Sequence, residues 1–239
     1  MEFEPNYTVP KMVKNTADQY PEVYAQYKRL PNNEFEPITY RDMFQIALDF
    51  AAALVSVGVK KEDKIGIISD NRAEWQQADI GIMAIGAIDV PRGCDATIID
   101  LEKILSITEA ELVIAENNSQ VKKILSIKEK LPNLKKFICF ENDLKPETLE
   151  LAKSNNVEVV LFSEMLKVGQ KWRIENKGKV EEILEAGTSE DVATIIFTSG
   201  TTGDPKGVVL THKNFLAQLD ELPERIFVNP GDKALSVLP

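Results

Sequence analysis

The sequence predicts an α/β fold, a mostly parallel sheet with helices on both faces. Three observations carry this. Short apolar runs rich in β-branched residues recur along the chain. Between them lie helical patterns of roughly 10–15 residues, the length that a right-handed βαβ crossover takes. The 239 residues, 44% of them hydrophobic, supply enough apolar material for one sizeable core.

The first 35 or so residues are rich in Pro and Tyr and read as an extended arm with one short helix over 10–19. Thr39 then opens a strong helix, because Thr39-Tyr40-Arg41-Asp42 forms a variant capping box with Asp42 in place of the usual Glu or Gln. Phe44, Ala47, Leu48, Ala51, Leu54 and Val55 follow at helical spacing, and Gly58 supplies the C-cap. Residues 64–69 form a buried strand. Residues 72–86 are helical in period, with Asp70 and Asn71 before them as caps, and a strand over 87–90 ends at Pro91. The alternation continues with a helix over 98–108, a strand over 112–115, a helix over 119–130 and a strand over 136–140. A helix over 146–154 has Pro146 in its first turn, where the missing N–H costs nothing. A strand over 157–162 precedes a helical stretch over 163–185, divided around Gly169 and Gly178. The character changes near Gly187-Thr188-Ser189. There follow a strand over 192–197, a Gly/Thr-rich loop, a strand over 207–210, a helix from His212 to about Leu222 capped by Thr211, and a strand over 233–238. Residues 1–188 thus read as an arm plus an α/β unit, and 189–239 as the loop and the start of a second unit, with a chain end at Pro239 that looks cut rather than finished.

Composition narrows the function. A formal charge of −10, from 38 acidic and 28 basic residues, repels nucleic acid and anionic membrane surfaces. Lys122, Lys123, Lys128, Lys130, Lys135 and Lys136 alternate with apolar residues and read as solvated faces. Two distant cysteines, Cys94 and Cys139, make neither a disulfide framework nor a metal cluster, and Cys139 sits in an apolar strand run. The single histidine, His212, excludes a His-rich metal site and reads as structural, near a helix N-terminus. No run approaches the roughly 18 apolar residues of a membrane span, and Met1 to Pro10 is no signal peptide, so a reducing cytoplasm is expected.

The segment that carries chemistry is Thr198-Ser199-Gly200-Thr201-Thr202-Gly203-Asp204-Pro205-Lys206-Gly207. Gly200, Gly203 and Gly207 let the backbone approach a bulky anion and turn its N–H groups toward it. Thr198, Ser199, Thr201 and Thr202 add hydroxyls, and Lys206 adds one mobile positive charge. Such a set surrounds a polyphosphate. It is not a Walker loop, which needs Gly-Lys-Ser/Thr running into a helix, because here Gly207 and a strand follow Lys206. Nor is it a serine-hydrolase elbow, since Ser199 lacks the Gly-x-Ser-x-Gly frame. The bland alternative is a flexible hairpin that happens to be rich in Gly and Thr.

These ten residues resemble, at every defining position, the phosphate loop of the adenylate-forming superfamily: acyl-CoA synthetases, peptide-synthetase adenylation domains and luciferases. Val208-Val209-Leu210-Thr211-His212-Lys213-Asn214 is similar to the family's continuation. Ser69-Asp70-Asn71-Arg72-Ala73-Glu74-Trp75 and Gly86-Ala87-Ile88-Asp89-Val90-Pro91 resemble segments of long-chain fatty acyl-CoA synthetases, as does Ile38-Thr39-Tyr40. The ordinary reading of the first of these is fold support, with Asn71 a cap, Trp75 a core anchor and Arg72 and Glu74 surface or ion-pair residues.

The resemblance implies the N-terminal subdomain of the adenylate-forming fold, truncated, from a ligase that uses ATP, Mg²⁺ and coenzyme A. A fatty acid carboxylate would attack the α-phosphorus, pyrophosphate would leave, and the thiol would then displace AMP. Thr198, Ser199, Gly200, Thr201, Thr202, Gly203, Lys206 and Gly207 would hold the phosphates, Lys206 meeting charge on the departing pyrophosphate, and Thr201 or Thr202 reaching the metal. Family members run to about twice this length and place the adenine, ribose and C-terminal lysine contacts in later sequence. The 239-residue piece is therefore expected to be inactive and to self-associate through unpaired strands. Peripheral membrane contact of the parent is not indicated here. Two other readings stand beside this one: an adenylation domain for an amino or aryl acid, and a non-catalytic nucleotide-binding module.

Overall fold

A computed structural model describes residues 6–30, 32–198, 205–221, 226–227, 229 and 231–236. The expected α/β architecture is what it shows. Helix α1 (Val9–Gln19) leads to strands β1 (Tyr24–Arg29) and β2 (Phe35–Thr39). Then come α2 (Tyr40–Ser56), β3 (Lys64–Ile68), α3 (Ala73–Ala84), β4 (Ile88–Arg92), α4 (Ile98–Ile107) and β5 (Leu112–Ala115). The chain continues with α5 (Asn118–Leu125), β6 (Lys136–Cys139), α6 (Pro146–Ser154), β7 (Glu158–Leu161), α7 (Phe162–Glu175) and α8 (Lys179–Ala186). It closes with β8 (Val192–Thr198), β9 (Lys206–Thr211) and α9 (His212–Glu221).

Among the described residues seven strands form one sheet, in the order β7-β6-β5-β3-β4-β8-β9. All neighbours are parallel except β8 and β9. The chain steps from β3 outward to β4, then crosses back over β3 to β5. Right-handed crossovers in opposite directions put helices on opposite faces. Alternation along the strands divides the core accordingly. Ile65, Ile67, Leu112, Ile114 and Ile138 face α2, α3, α7 and α8. Ile68, Val113, Ala115 and Phe137 face α4, α5 and α6.

Helix α2 is the centre of the first layer, with Phe50 through Leu54 fully buried. Its neighbours approach it on glycines. A Cβ on Gly81 of α3 would lie 2.8 Å from Ala47 O, and one on Gly169 of α7 only 1.7 Å from Asp49 O. Across the α2–α7 contact, Arg173 meets Asp49 at 2.6 Å and Gln170 donates to the same carboxylate at 2.9 Å. Helix α1 is tied in by Lys11, a buried lysine whose Nζ donates to Asn6 O, Glu185 O and Gly187 O, the last two at the C-terminal end of α8.

Several expectations are corrected. The N-terminal arm contains an antiparallel hairpin, β1 against β2, with Tyr24 opposite Thr39. Asp70 and Asn71 do not cap α3: the N-cap is Arg72, without a side-chain cap bond. Asp70 Oδ1 instead accepts from Cys94 N, and Asn71 Nδ2 donates to Ser236 Oγ. Strand β4 runs through Pro91 to Arg92, since β3 stays in register with it to the end and Ser69 N donates to Arg92 O. Helix α5 stops at Leu125, and a separate 3₁₀ turn covers Lys128–Lys130. Gly169 does not divide α7; the break falls at Gly178, whose φ of 82° only glycine adopts freely. Residues 233–236 are not in a strand, because no strand of the described residues offers them a ladder, and 237–238 lie outside the described residues. Among the described residues no helix is long and apolar enough to cross a membrane.

Candidate functional site

Strands β8 and β9 form a hairpin whose register runs from Val192 opposite Thr211 to Thr198 opposite Lys206. Thr198 and Lys206 are therefore the last rung before the Gly/Thr-rich segment, and both are exposed. Among the described residues no carboxylate pairs with the Lys206 ammonium. Ser199, Gly200, Thr201, Thr202 and Gly203 lie outside the described residues. Gly207 pairs with Phe197, and a Cβ there would press on Ile195 Cγ2 at 3.0 Å and Phe197 Cζ at 3.2 Å. A side chain at 207 would thus crowd Ile195 and Phe197 across the hairpin.

The hairpin is anchored at both ends. At its base, His212 opens α9 and is buried; its N–H donates to Asp191 O, and its Nδ1 accepts from Val9 N at 3.4 Å. Burial holds the imidazole down at about 4, against the nearby Asp191 carboxylate, so it is neutral and acts as an acceptor. Toward the loop, Arg92 at the end of β4 donates from Nη1 to Phe197 O, one residue before Thr198. The β4–β8 ladder consists of one register pair, Asp89 with Thr194.

That pair lines a cavity of about 410 Å³ under the hairpin, between α3, β4 and β8. Trp75, Met83, Pro91, Ile196, Phe197 and Phe215 give it apolar walls, and Asp79, Asp89 and Thr194 its polar floor. Thr194 Oγ1 lies 3.1 Å from Asp89 Oδ2 and 3.2 Å from Asp89 O. Burial and the neighbouring Asp89 carboxyl push Asp79 well above the carboxylate range. Burial pushes Asp89 up to about 7, against the hydrogen bond from Thr194. The two carboxyls hold a proton between them. Sequence reading did not single out Asp79 or Asp89. The available signal was an isolated acid inside each of two apolar runs, which demands a partner once buried.

The fatty-acyl-synthetase-like stretch after β3 is structural in its contacts. Glu74 meets Arg72 at 2.9 Å and Lys28 at 2.7 Å, and although burial opposes ionisation these partners hold it down at about 2. Trp75 packs on the core and on the cavity. At the carboxyl ends of β3, β4 and β5, ligand atoms of Asp70, Cys94 and Glu116 lie within 4.8 Å of one another. Both carboxylates there accept backbone N–H groups, Asp70 from Cys94 and Glu116 from Asp70. Burial and Glu116 push the Cys94 thiol up to about 12, so it is neither thiolate nor nucleophile at neutral pH.

Comparison with known proteins identifies the family and the fold. The profile of the family described as AMP-binding enzyme matches residues 13–239. A chloroplastic long-chain-fatty-acid–acyl-carrier-protein ligase of Arabidopsis thaliana is 30% identical over 97% of this chain and 32% of its own length. Long-chain-fatty-acid–CoA ligase 4 of Saccharomyces cerevisiae is 26% identical over 97% of this chain and 35% of its own. Among solved structures, the A domain of carboxylic acid reductase from Segniliparus rugosus, in complex with AMP and a co-purified carboxylic acid, has a TM-score of 0.71 at 17% identity, covering 97% of this chain and 40% of that one. Anthranilate CoA ligase in complex with anthranoyl-AMP has a TM-score of 0.67 at 21% identity, over 93% and 38%. The chain spans about a third of the length of the curated relatives it matches.

Proposed function

The chain belongs to the family of AMP-binding enzymes, and from that premise we propose that it binds the phosphates of ATP between β8 and β9 and takes part in activating a long-chain fatty acid as its acyl-adenylate, for transfer to a thiol. The observation that carries this reading is the last rung of the hairpin. Thr198 and Lys206 face each other at the ends of β8 and β9, at the two ends of the Ser199–Pro205 segment. A hydroxyl and an ammonium with no carboxylate partner among the described residues thus flank a run of glycines and threonines, which is the donor set a polyphosphate needs. Arg92, bonded to Phe197 O, steadies the strand end that delivers Thr198.

In this reading backbone N–H groups and hydroxyls from Thr198 to Gly203 position the β- and γ-phosphates, and Lys206 meets the charge that grows on pyrophosphate as the carboxylate attacks the α-phosphorus. The hydroxyl of Thr198 is an oxygen ligand suited to a hard cation, and Thr201 and Thr202 carry the same group in the adjoining segment. Mg²⁺ bound there would neutralise phosphate charge. Fatty acid is favoured as substrate by relatives named as long-chain fatty acid ligases. Those relatives name both acyl carrier protein and coenzyme A as acceptors, so both are candidate thiols here.

The test is made in the complete protein that carries this chain. ATP–pyrophosphate exchange over a panel of fatty, aryl and amino acids reads the acid, and single-turnover thioester formation with coenzyme A and with acyl carrier protein reads the acceptor. Lys206→Ala is expected to slow adenylate formation on the order of 10²–10³-fold and to leave thioester formation from supplied acyl-adenylate nearly normal. Equal slowing of both half-reactions would show that the lysine serves structure or general nucleotide binding, and exchange with aryl or amino acids alone would overturn the fatty-acid reading.

A further inference from the structure

We propose that the cavity between α3, β4 and β8 is a binding site for an amphiphilic amine, an ammonium group carried on an apolar body. The inference stands on the cavity and does not rest on the nucleotide chemistry proposed above.

The floor is rich in acceptors and poor in donors. Asp89 is 2% exposed. Its Oδ2 lies 3.1 Å from the Thr194 hydroxyl, while its Oδ1 has no donor among the described residues. The carboxyl it faces belongs to Asp79 on α3, which is another acceptor. Two carboxyls thus share the Thr194 hydroxyl and the single proton between them. Arg92 stands in the same wall: its Nη1 is engaged by Phe197 O, and its buried Nε has no acceptor among the described residues and so does not reach either carboxyl. A buried acceptor without a donor costs stability, and a second carboxyl beside it adds repulsion. A proton shared between Asp79 and Asp89 offsets this in the free protein. An ammonium does more, because it brings positive charge and three donors to the place where acceptors converge.

The walls select the rest of the ligand. Trp75, Met83, Pro91, Ile196, Phe197 and Phe215 offer apolar and aromatic surface, and the volume of about 410 Å³ falls in the range of small-molecule pockets. A hard divalent cation takes six or more oxygens, which this apolar chamber does not supply. A neutral alcohol fills the walls but leaves the carboxylate charge unpaired. An organic cation satisfies floor and walls together.

Isothermal titration calorimetry with benzylamine, and with benzyl alcohol as its neutral isostere, tests this on the protein at pH 7.5. The expected result is one saturable benzylamine site, at least tenfold weaker binding of benzyl alcohol, and at least tenfold weaker benzylamine binding in Asp89→Asn. Glu116→Gln, on the other side of β3, is expected to bind like the wild type. Circular dichroism establishes that Asp89→Asn is folded, and Asp79→Asn gives the same reading if it is not. No saturable benzylamine binding, equal affinity for amine and alcohol, or undiminished binding in the Asn variants would each overturn the proposal.

Discussion

Replacing Gly169 with alanine adds one methyl group where α7 crosses α2. The ideal Cβ would lie 1.7 Å from Asp49 O, 2.7 Å from Asp49 C and 3.0 Å from Ala53 N. Ordinary contact begins near 3.4 Å, so the shortfall to the carbonyl oxygen is 3.4 − 1.7 = 1.7 Å. The obstructing atoms are backbone, so no rotamer change relieves the clash, and α7 must move away from α2 by more than an ångström. That movement opens the 2.6 Å contact of Arg173 with Asp49 and the 2.9 Å bond from Gln170, leaving Asp49, buried in the interface, short of donors. It also loosens Phe162 on Phe50, whose ring centroids are 4.8 Å apart. Overpacking together with a broken buried ion pair costs about 3–5 kcal/mol, against about 1 kcal/mol gained from alanine's helix propensity. The net loss should lower the melting temperature by roughly 10 °C in a domain of this size. Urea and thermal unfolding followed by circular dichroism measure it. Gly178→Ala, at a positive φ but with nothing within 4 Å, is the control and should cost about 1 kcal/mol. A Gly169→Ala variant as stable as the wild type would refute the close-approach argument.

Three further outcomes follow from the same contacts. Asp89 titrates near 7 in the fold and near 3.9 unfolded, so folding takes up a proton between those values. Its stabilising contribution is whole below about pH 4 and is lost as pH rises through about 7; urea titrations should therefore show Asp89→Asn gaining on wild type by a few kcal/mol more at pH 8 than at pH 4, and a pH-independent difference would contradict the shared proton. Lys11→Met removes the ammonium that meets Glu185 O and Gly187 O; about 2–3 kcal/mol of stability should go with it, with faster hydrogen exchange confined to α1 and the end of α8, whereas unchanged exchange there would show that those carbonyls need no cap. Burial pushes the thiols of Cys94 and Cys139 up to about 12 and about 11, so the native protein at pH 7.5 should resist iodoacetamide, and rapid alkylation of either would mean its surroundings are wrongly drawn.

The alternation of strands and helices was legible because the central strands are buried on both faces and read as apolar runs, β5 as Leu-Val-Ile-Ala and β6 as Phe-Ile-Cys after Lys136. The hairpin of β1 and β2 was not, because it buries little. Tyr24, Tyr27 and Phe35 remain exposed, so no alternation marks the strands. The misplaced helix break has a related cause. A glycine within a helical pattern signals either an end or a close approach, and only the neighbouring helix decides which. Gly178 has a positive φ and open space around it; Gly169 has the backbone of α2. Asp70 was misread in the same way, since a polar residue before a helix suggests a cap until Cys94 N arrives from another loop.

At the candidate site the residue types were legible and the coupling was not. Residues 198–207 have the composition expected of a phosphate loop, yet what places Thr198 is remote in sequence. Strand β8 joins the parallel sheet through one register pair, Asp89 with Thr194, and the same two residues are bonded again through their side chains. Asp79 adds a second carboxyl to that joint, and Arg92 fastens Phe197 three register steps beyond it. The joint therefore carries both the attachment of the hairpin and the charge at the floor of the cavity. A ligand that compensates Asp89 acts on the residue holding Thr194, four positions before Thr198 on the same strand. The joint at Asp89 and the last rung, Thr198 with Lys206, thus lie on a single strand, β8, held at Thr194 by Asp89 and at Phe197 by Arg92.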